Sequence, residues 1–387
     1  MKLRSIEHMP ELDGKRVLVR VDHNVEFDQN GRLKDDRKIR LTIPTLEYLV
    51  DRGAKLVLMT HVGRPKGKIM ENLRTAPIAA HLKSLSPKLK DCTYLENVRF
   101  DPGEEGNDSA YVRELAKHGE YFVNEAFPSL HTYEEASTCG VARLLPSFAG
   151  YNLLEEVAKL SQVISDPRRP LLLLMSGAKM ETKISVIRRF LDIADDILLG
   201  GCIANTFIAA RGFDIGGSKY EIDAIELAQE LMLEAGKEEK ADIHIPRDAV
   251  VASAASEDAV KLDLPLEDIE GDMKIFDIGA VTVKRYTDQI AKAGTIIWNG
   301  PMGLYEFNRF SHASKRIAEA VSAATKKGAF SVIGGGDTLD FHTHYDYPLD
   351  SYSFVSSGGG AMLEFLSSAK PLPALVPMVE GEAVIAR

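Results

Sequence analysis

Cysteine is scarce in this chain. Its 387 residues hold three, Cys92, Cys139 and Cys202, scattered with no Cys-x-x-Cys pair. That spacing argues against a disulfide framework and a structural zinc site, and it fits a reducing, cytoplasmic compartment. Long apolar runs are missing as well. No stretch approaches the about 18 residues of a membrane span. The N-terminus, MKLRSIEHMPELDGKR, lacks the apolar segment of a secretory signal. No membrane partner is therefore expected. Positive charge is not in excess either. The net charge of −10 argues against nucleic acid, while leaving room for a local basic pocket. What is there is a chain 45% hydrophobic and 27% charged, the balance of a soluble globular protein. Its length exceeds one ordinary core, so two domains are expected.

The chain is organised around residues 329–341, AFSVIGGGDTLDF. The first five are β-compatible and read as a buried strand. Gly334, Gly335 and Gly336 follow, and a glycine run lets a backbone turn sharply against a ligand. Asp337 and Thr338 stand where a helix can start, with free N–H groups that favour an anion. Asp337 adds a carboxylate suited to a hard cation such as Mg²⁺. The stretch reads either as a phosphate-plus-metal site or as a plain packing turn.

Along the first half, apolar strands end repeatedly in polar residues. Arg16–Val21 ends in Asp22-His-Asn24, Lys55–Thr60 in His61-Val-Gly-Arg64, and a short strand at 93–95 leads to Arg99. Helical stretches near 40–52, 77–86 and 109–118 intervene, and the strand Tyr121–Val123 ends in Asn124-Glu-Ala-Phe127. This is the rhythm of a parallel sheet with crossover helices, and it places Asp22, Asn24, His61, Arg64 and Arg99 at one edge. His and Arg there suit a small phosphate- or carboxylate-bearing anion. Each residue alone reads as a solvated surface group, and Asp22-His-Asn24 also as an Asx turn; the repetition at successive strand ends is what points to a site.

After a helix over 151–164, Pro167 and Pro170 bracket a boundary. The strand Leu171–Met175 runs into Ser176-Gly-Ala-Lys179-Met-Glu-Thr-Lys183. Lys179 and Lys183 are four apart and on a helix would share a face, either for a polyphosphate or simply for solvent. The rhythm continues through strands near 196–199, 275–279 and 295–298. The last ends in Asn299-Gly-Pro-Met-Gly303, with Glu306 following. Gly358-Gly-Gly360 precedes a final helix over 361–367.

Seven stretches, RVLVRVDHNV (16–25), THVGRPKGK (60–68), LENVRF (95–100), SGAKMETKI (176–184), IWNGPMGLYEF (297–307), VIGGGDT (332–338) and SSGGGAMLEF (356–365), resemble phosphoglycerate kinase in order and spacing. The resemblance covers nearly the whole chain. It implies an α/β fold of two Rossmann-like three-layer α/β/α domains, with parallel sheets facing each other across a hinged cleft. Residues 1–165 would bind 3-phosphoglycerate, residues 166–371 would bind nucleotide, and the tail 372–387 would pack back on the first domain. The implied activity is the reversible glycolytic transfer between 1,3-bisphosphoglycerate with ADP and 3-phosphoglycerate with ATP, by a cytoplasmic monomer using Mg²⁺.

Carried over by position, Asp22 and Asn24 would hold the glycerate, and His61, Arg64 and Arg99 its phosphate. Lys179 and Lys183 would contact the moving phosphoryl group and the nucleotide phosphates. Asn299 would join the nucleotide site and Glu306 would take the ribose hydroxyls. Asp337 would position Mg²⁺, with Gly335, Gly336 and Thr338 cradling phosphate. The turn at Gly358 and Gly359 would present helix N–H groups to the transferring group. Positioning and charge neutralisation are what phosphoryl transfer needs.

Departures from the family pattern fall mainly on the acid side. Lys38 stands where the family carries a catalytic-site Arg, and it keeps the charge but not the fork. Arg37 and Arg40 flank it, but point elsewhere on a regular element. Thr132 replaces a second Arg, and Glu134 and Glu135 are expected to turn towards the anion site. His23 replaces Phe, Ser176 replaces Gly and Thr182 replaces Asp. A related kinase with another carboxylate acceptor, and a non-catalytic nucleotide-binding homologue, are therefore the alternatives.

Overall fold

The computed structural model describes residues 1–28, 32–181 and 183–381. Thr182 and residues 382–387 of the expected tail lie outside the described residues. The chain divides into two compact units. One comprises Met1–Ser161 with the segment from Ser368 onward, the other Gln162–Ser367. The boundary falls inside the helix Tyr151–Ser165.

The first unit is built on a five-stranded parallel sheet of β1 (Arg16–Arg20), β2 (Lys55–Met59), β3 (Thr93–Tyr94), β4 (Tyr121–Asn124) and β5 (Ser147–Ala149). Its strand order is β3-β2-β1-β4-β5. Alternation along β1 explains the layers. Val17 and Val19 pack on Leu46 and Leu49 of the helix Arg37–Asp51 and on Ile78 and Leu82 of the helix Ala76–Leu85. Leu18, pointing the other way, packs with Phe122, Val112 and Leu115. Pairing reverses direction between β1 and β4. Ligand crevices of open α/β sheets lie at the carboxyl ends of strands at such a point. Leaving the second unit, the chain returns to the N-terminal segment. Val379 bridges Leu3, and Met378 O accepts from Arg4 N at 2.8 Å.

The second unit carries a six-stranded parallel sheet of β6 (Leu171–Met175), β7 (Asp196–Leu199), β8 (Asp242–His244), β12 (Thr295–Asn299), β13 (Phe330–Ile333) and β14 (Phe354–Val355). The strand order is β14-β13-β12-β6-β7-β8, so the reversal lies between β6 and β12. Leu172, Leu174, Ile296, Trp298 and Ile333 form one buried face with Tyr286, Ile317 and Val321.

The strand expected near 275–279 to continue the parallel rhythm is corrected here. β9 (Asp248–Ala252), β10 (Leu262–Pro265) and β11 (Lys274–Ile278) make a separate antiparallel sheet in the order β10-β9-β11. The connection 253–261 is too short for a crossover helix, so the chain pairs back on itself. Among the described residues, no helix is long and apolar enough to cross a membrane.

Candidate active site

Each unit presents a pocket at the carboxyl ends of its central strands. In the first, Asn24 after β1, His61 and Arg64 after β2, Arg99 after β3, and His131 and Tyr133 after β4 line one pocket. The Asn24 side chain accepts from Gly63 N at 3.0 Å and ties two of these loops together. Arg64 is exposed and makes no hydrogen bond or ion pair among the described residues. Asp22 lies beneath and is buried, with Lys38 Nζ 2.7 Å from its carboxylate. Burial alone would raise the Asp22 carboxyl, but the Lys38 ammonium helps to outweigh it and holds the pKa below the usual carboxylate range.

Arg99 donates to Glu135 Oε1 at 2.8 Å and to Gly63 O at 3.2 Å. The Glu135 side chain is only 1% exposed, so this is a buried ion pair. Its neighbour Glu134 turns the other way, to Arg143 at 2.6 Å and Asn107 at 3.0 Å. Of the two acids expected to turn towards the anion site, one pairs with Arg99 and the other does not. Arg40 is tied to Asp36 at 2.8 Å, and so does not replace the missing fork at Lys38. His131 and Tyr133, the sequence neighbours of Thr132, stack with ring centroids 4.5 Å apart.

In the second unit, the sequence places Ser176-Gly-Ala-Lys179 directly after β6. A shared helical face for Lys179 and Lys183 is corrected by the structure. The helix begins only at Ile184, with Lys183 at its N-cap. The preceding loop is held off helical geometry by Gly177, whose φ is +139°, and by Met180 N donating to Glu221 at 3.0 Å. Lys179 is exposed, whereas the Lys183 ammonium folds back inward. It donates to Ser176 O and to Asn299 Oδ1, the latter at 2.7 Å, and so bridges the ends of β6 and β12 at the switch point. Burial pushes its pKa down to about 8, partly offset by the carboxylate of Asp337.

Asn299 passes this order on. Its Nδ2 donates to Gly334 O at 2.7 Å, Thr338 Oγ1 donates to the same carbonyl, and Gly300 N donates to Thr338 Oγ1 at 2.8 Å. Gly335, at φ +111°, turns the chain into the helix Gly336–His344. The first N–H groups of that helix have no intrahelical acceptor. A Cβ on Gly359 would land on Gly335 Cα, so glycine at the start of the helix Gly359–Ser367 is what lets the two glycine turns meet. Beside them runs an apolar slot formed by Ala204, Ile275, Phe276, Met302 and Leu304, with Glu306 and Asp337 on its lining.

The family model of phosphoglycerate kinase matches residues 6–369. The chain is 40% identical over 392 residues to the phosphoglycerate kinase of Chloroflexus aurantiacus, covering 95% of this chain and 97% of that one. It is 39% identical to that of Moorella thermoacetica, over 96% and 98% of the two chains. The solved structure of phosphoglycerate kinase from Coxiella burnetii superposes with a TM-score of 0.87 at 35% identity, over 97% of this chain and 98% of that chain. That from Pyrococcus horikoshii gives 0.80 at 28%, with the same coverage.

The chain belongs to the phosphoglycerate kinase family.

It is accordingly a phosphotransferase that moves a phosphoryl group to and from a carboxyl acceptor, with ATP and ADP as co-substrate. Full-length similarity to phosphoglycerate kinases favours this activity over a different acceptor or a non-catalytic homologue.

Sequence reasoning missed two features of these pockets. Arg20, the last residue of β1, has a fully buried guanidinium that bonds His61, Ser137 and Val21. An arginine at a position where the Val-Leu-Val run of β1 is still buried was the available signal. Lys219 and Lys274 line the second pocket, and no motif marked them. Elsewhere in that unit, Asp196, Asp242 and His244 lie close enough to share a cation. Both ring nitrogens of His244 are already engaged, Nδ1 by Arg285 and Nε2 by Asp196, so the cluster is a hydrogen-bond network.

Proposed function

We propose that the two pockets divide the reaction: the one after β1, β2 and β3 takes 3-phosphoglycerate or 1,3-bisphosphoglycerate, and the one after β6 and β12 takes ADP or ATP. The observation that carries this is the Lys183 ammonium, half-buried at a strand switch point and hydrogen-bonded, among the described residues, to the neutral oxygens of Ser176 and Asn299, beside a helix N-terminus and an apolar slot. A desolvated cation there is matched to polyphosphate.

In this reading the base lies in the slot, Glu306 takes the ribose hydroxyls, and Gly335, Gly336 and Thr338 offer backbone N–H groups to phosphate. The Thr338 hydroxyl is already spent on Gly300 and Gly334, so only its backbone serves. Asn299 positions Lys183. Gly358 and Gly359 present a second helix start to the moving group. Asp337 is exposed at its helix start and offers the single hard carboxylate that Mg²⁺ accepts alongside phosphate oxygens and water. Bound there, Mg²⁺ would neutralise phosphate charge. On the acid side, Asn24 and Asp22 hold the glycerate, Arg64 and Arg99 its phosphate, and Lys38 reaches from Asp22 towards the reacting end.

The chemistry needs no base. The acceptor carboxylate is ionised at neutral pH. Its oxygen attacks the terminal phosphorus of ATP, the bond to the bridging oxygen breaks, and ADP keeps that electron pair. Lys179 and Lys183 meet the charge that shifts between the two ends. His61, whose pKa lies well below the ordinary imidazole value because of burial and then the Arg20 charge, is suited to donate a hydrogen bond and not to take a proton. The free thiols support a cytoplasmic setting, and we take the working unit to be a monomer.

A coupled assay tests the reading. ATP should form from ADP and 1,3-bisphosphoglycerate, and ADP from ATP and 3-phosphoglycerate, each requiring Mg²⁺. No turnover above blank at high enzyme concentration would end it.

A further inference from the structure

We infer that Arg20 is a positioning residue, fixing His61 as the neutral tautomer whose Nε2–H is offered to the acid pocket. The inference rests on the reading of that pocket as the phosphoglycerate site. It begins from what a guanidinium can do. Arginine has five donors, no acceptor, and does not deprotonate in a protein. Arg20 Nη2 lies 2.9 Å from His61 Nδ1, so the imidazole nitrogen accepts. A ring that accepts at Nδ1 is neutral and carries its proton on Nε2. His61 lines the acid pocket while nearly all of the ring is buried, at 6% exposure. With Nδ1 taken, the one polar group it can offer the pocket is a neutral N–H donor.

Arg20 is itself held on every side. Its Nη1 donates to Val21 O at 2.6 Å and its Nε to Ser137 Oγ at 2.8 Å. Ser137 in turn donates to the buried carboxylate of Glu104 from both its hydroxyl and its backbone N–H. The chain Glu104, Ser137, Arg20, His61 thus runs from the back of the sheet to the pocket. Its geometry comes from backbone elements: β1 for Arg20, the turn after β2 for His61, and the turn at 136–140 for Ser137.

Four charged groups bear on the imidazole: Arg20 from β1, Asp22 from the following loop, Lys38 from the start of the helix Arg37–Asp51, and Arg99 from the turn after β3. Three are cationic. Asp22 opposes them, but is itself paired with Lys38. Behind them stand Glu135 on Arg99 and Glu104 on Arg20. Burial pushes Glu104 up to about 7. Its protonation on acidification leaves Arg20 less balanced, which opposes proton uptake by His61. The arrangement therefore keeps His61 uncharged across the range in which the substrate phosphate itself titrates. Binding then draws on a fixed donor and not on a variable charge.

The test reads the ring directly. Two-bond ¹H–¹⁵N spectra of the wild-type protein, with His61 assigned through His61→Asn, should show a neutral, Nε2-protonated ring that does not change between pH 6 and 8. An imidazolium, or a proton on Nδ1, overturns the inference. Arg20→Gln removes the charge and keeps a donor-capable amide. It should raise KM for 3-phosphoglycerate at pH 8 by about tenfold, with kcat changed by less than about twofold. It should also introduce a fall in KM towards pH 6 that the wild type does not show, because His61, freed from the neighbouring cation, now gains a proton. Arg20→Lys, which restores charge and one donor, should recover the flat profile. A flat profile in Arg20→Gln would equally defeat the inference. The spectra of the free protein judge the tautomer even if 3-phosphoglycerate were found not to perturb His61 at all, an outcome that would instead remove the proposed substrate from this pocket.

Discussion

The two pockets handle their cations in opposite ways. On the nucleotide side, the half-buried Lys183 bonds a carbonyl and an amide oxygen, and its charge is held at a cost that lowers its pKa. On the acid side, Lys38 leans on Asp22 and Arg99 on Glu135, each 2.8 Å or less away. The first arrangement waits for an anion to complete it. The second is complete already, so an incoming anion must compete with a carboxylate or settle for the exposed Arg64 and the N–H of His61. A substrate that brings several charges of its own can draw on an unbalanced lysine. A smaller one meets a site whose charge is largely spent.

The difference predicts where mutation hurts most. Lys179 lies exposed after β6, in the loop that follows the strand end. Lys179→Ala should lower kcat by about 10²–10³-fold while weakening ADP binding far less, because its charge matters most when charge moves. Steady-state kinetics beside ADP titration separate the two effects. Unchanged kcat would take Lys179 out of the chemistry.

Next in size is the buried pair itself. Glu135→Gln leaves the buried Arg99 with the more distant, exposed Glu105, 3.8 Å from its Nε, as remaining counter-charge, and should cost about 2 kcal/mol of stability, read from urea melts. The same change frees the guanidinium, so KM for 3-phosphoglycerate should fall. Loss of stability with no gain in affinity would mean that Glu135 orients Arg99 for the substrate and does not compete with it.

Much of this contrast was legible in the residues, but not its hinge points. Strand ends rich in Asp, Asn, His and Arg, and the turn Gly334–Asp337, are read directly, because side-chain period and glycine chemistry are local. Where Lys183 goes is not local. A spacing of four suggests a helix face, and only the switch-point neighbour Asn299, 116 residues away in sequence, draws the ammonium inward. The fate of Glu134 and Glu135 is similar. Adjacent residues point apart, and which one met Arg99 depended on Arg143 and Asn107 capturing the other. Arg20 drew no attention inside the strand Arg16–Val21, since the partners that give it a role, His61 and Ser137, come from segments 41 and 117 residues away. The small antiparallel sheet was hidden because each of its strands, taken alone, reads like those of a parallel one.

The nucleotide-side lysine offers a smaller and more diagnostic effect. Its folded pKa, about 8, lies below the ordinary 10.5 because of burial. A depressed lysine means that the unfolded chain holds a proton the folded one lacks between those two values. Lys183 therefore costs stability below pH 8, and the cost fades as pH rises towards 10.5. Phosphate beside the ammonium should restore the proton. Calorimetry of Mg-ADP binding at pH 8.5, in buffers of different ionisation enthalpy, should show net proton uptake. Lys183→Met should abolish that uptake and weaken binding about tenfold. Identical heats in both buffers for the wild type would mean that the ammonium is not the phosphate partner.

The smallest effect sharpens the acid side. Thr132 lies in sequence between His131 and Tyr133, whose rings stack on each other, on the loop that ends in Glu135. Thr132→Arg adds a fork between two residues that line the pocket, and the two carboxylates that follow on the loop are already held, Glu134 by Arg143 and Glu135 by Arg99. An added exposed arginine gains one charge-assisted contact and loses part of it to screening and side-chain entropy, so affinity for 3-phosphoglycerate should rise by about fivefold. The gain should shrink at high salt, as an exposed charge requires. In the Glu135→Gln background the gain should be smaller, because Arg99 would by then already be free to hold the same phosphate. Equal gains in both backgrounds would show that the two arginines serve different groups of the substrate, and that the charge spent on Glu135 was never meant for the anion.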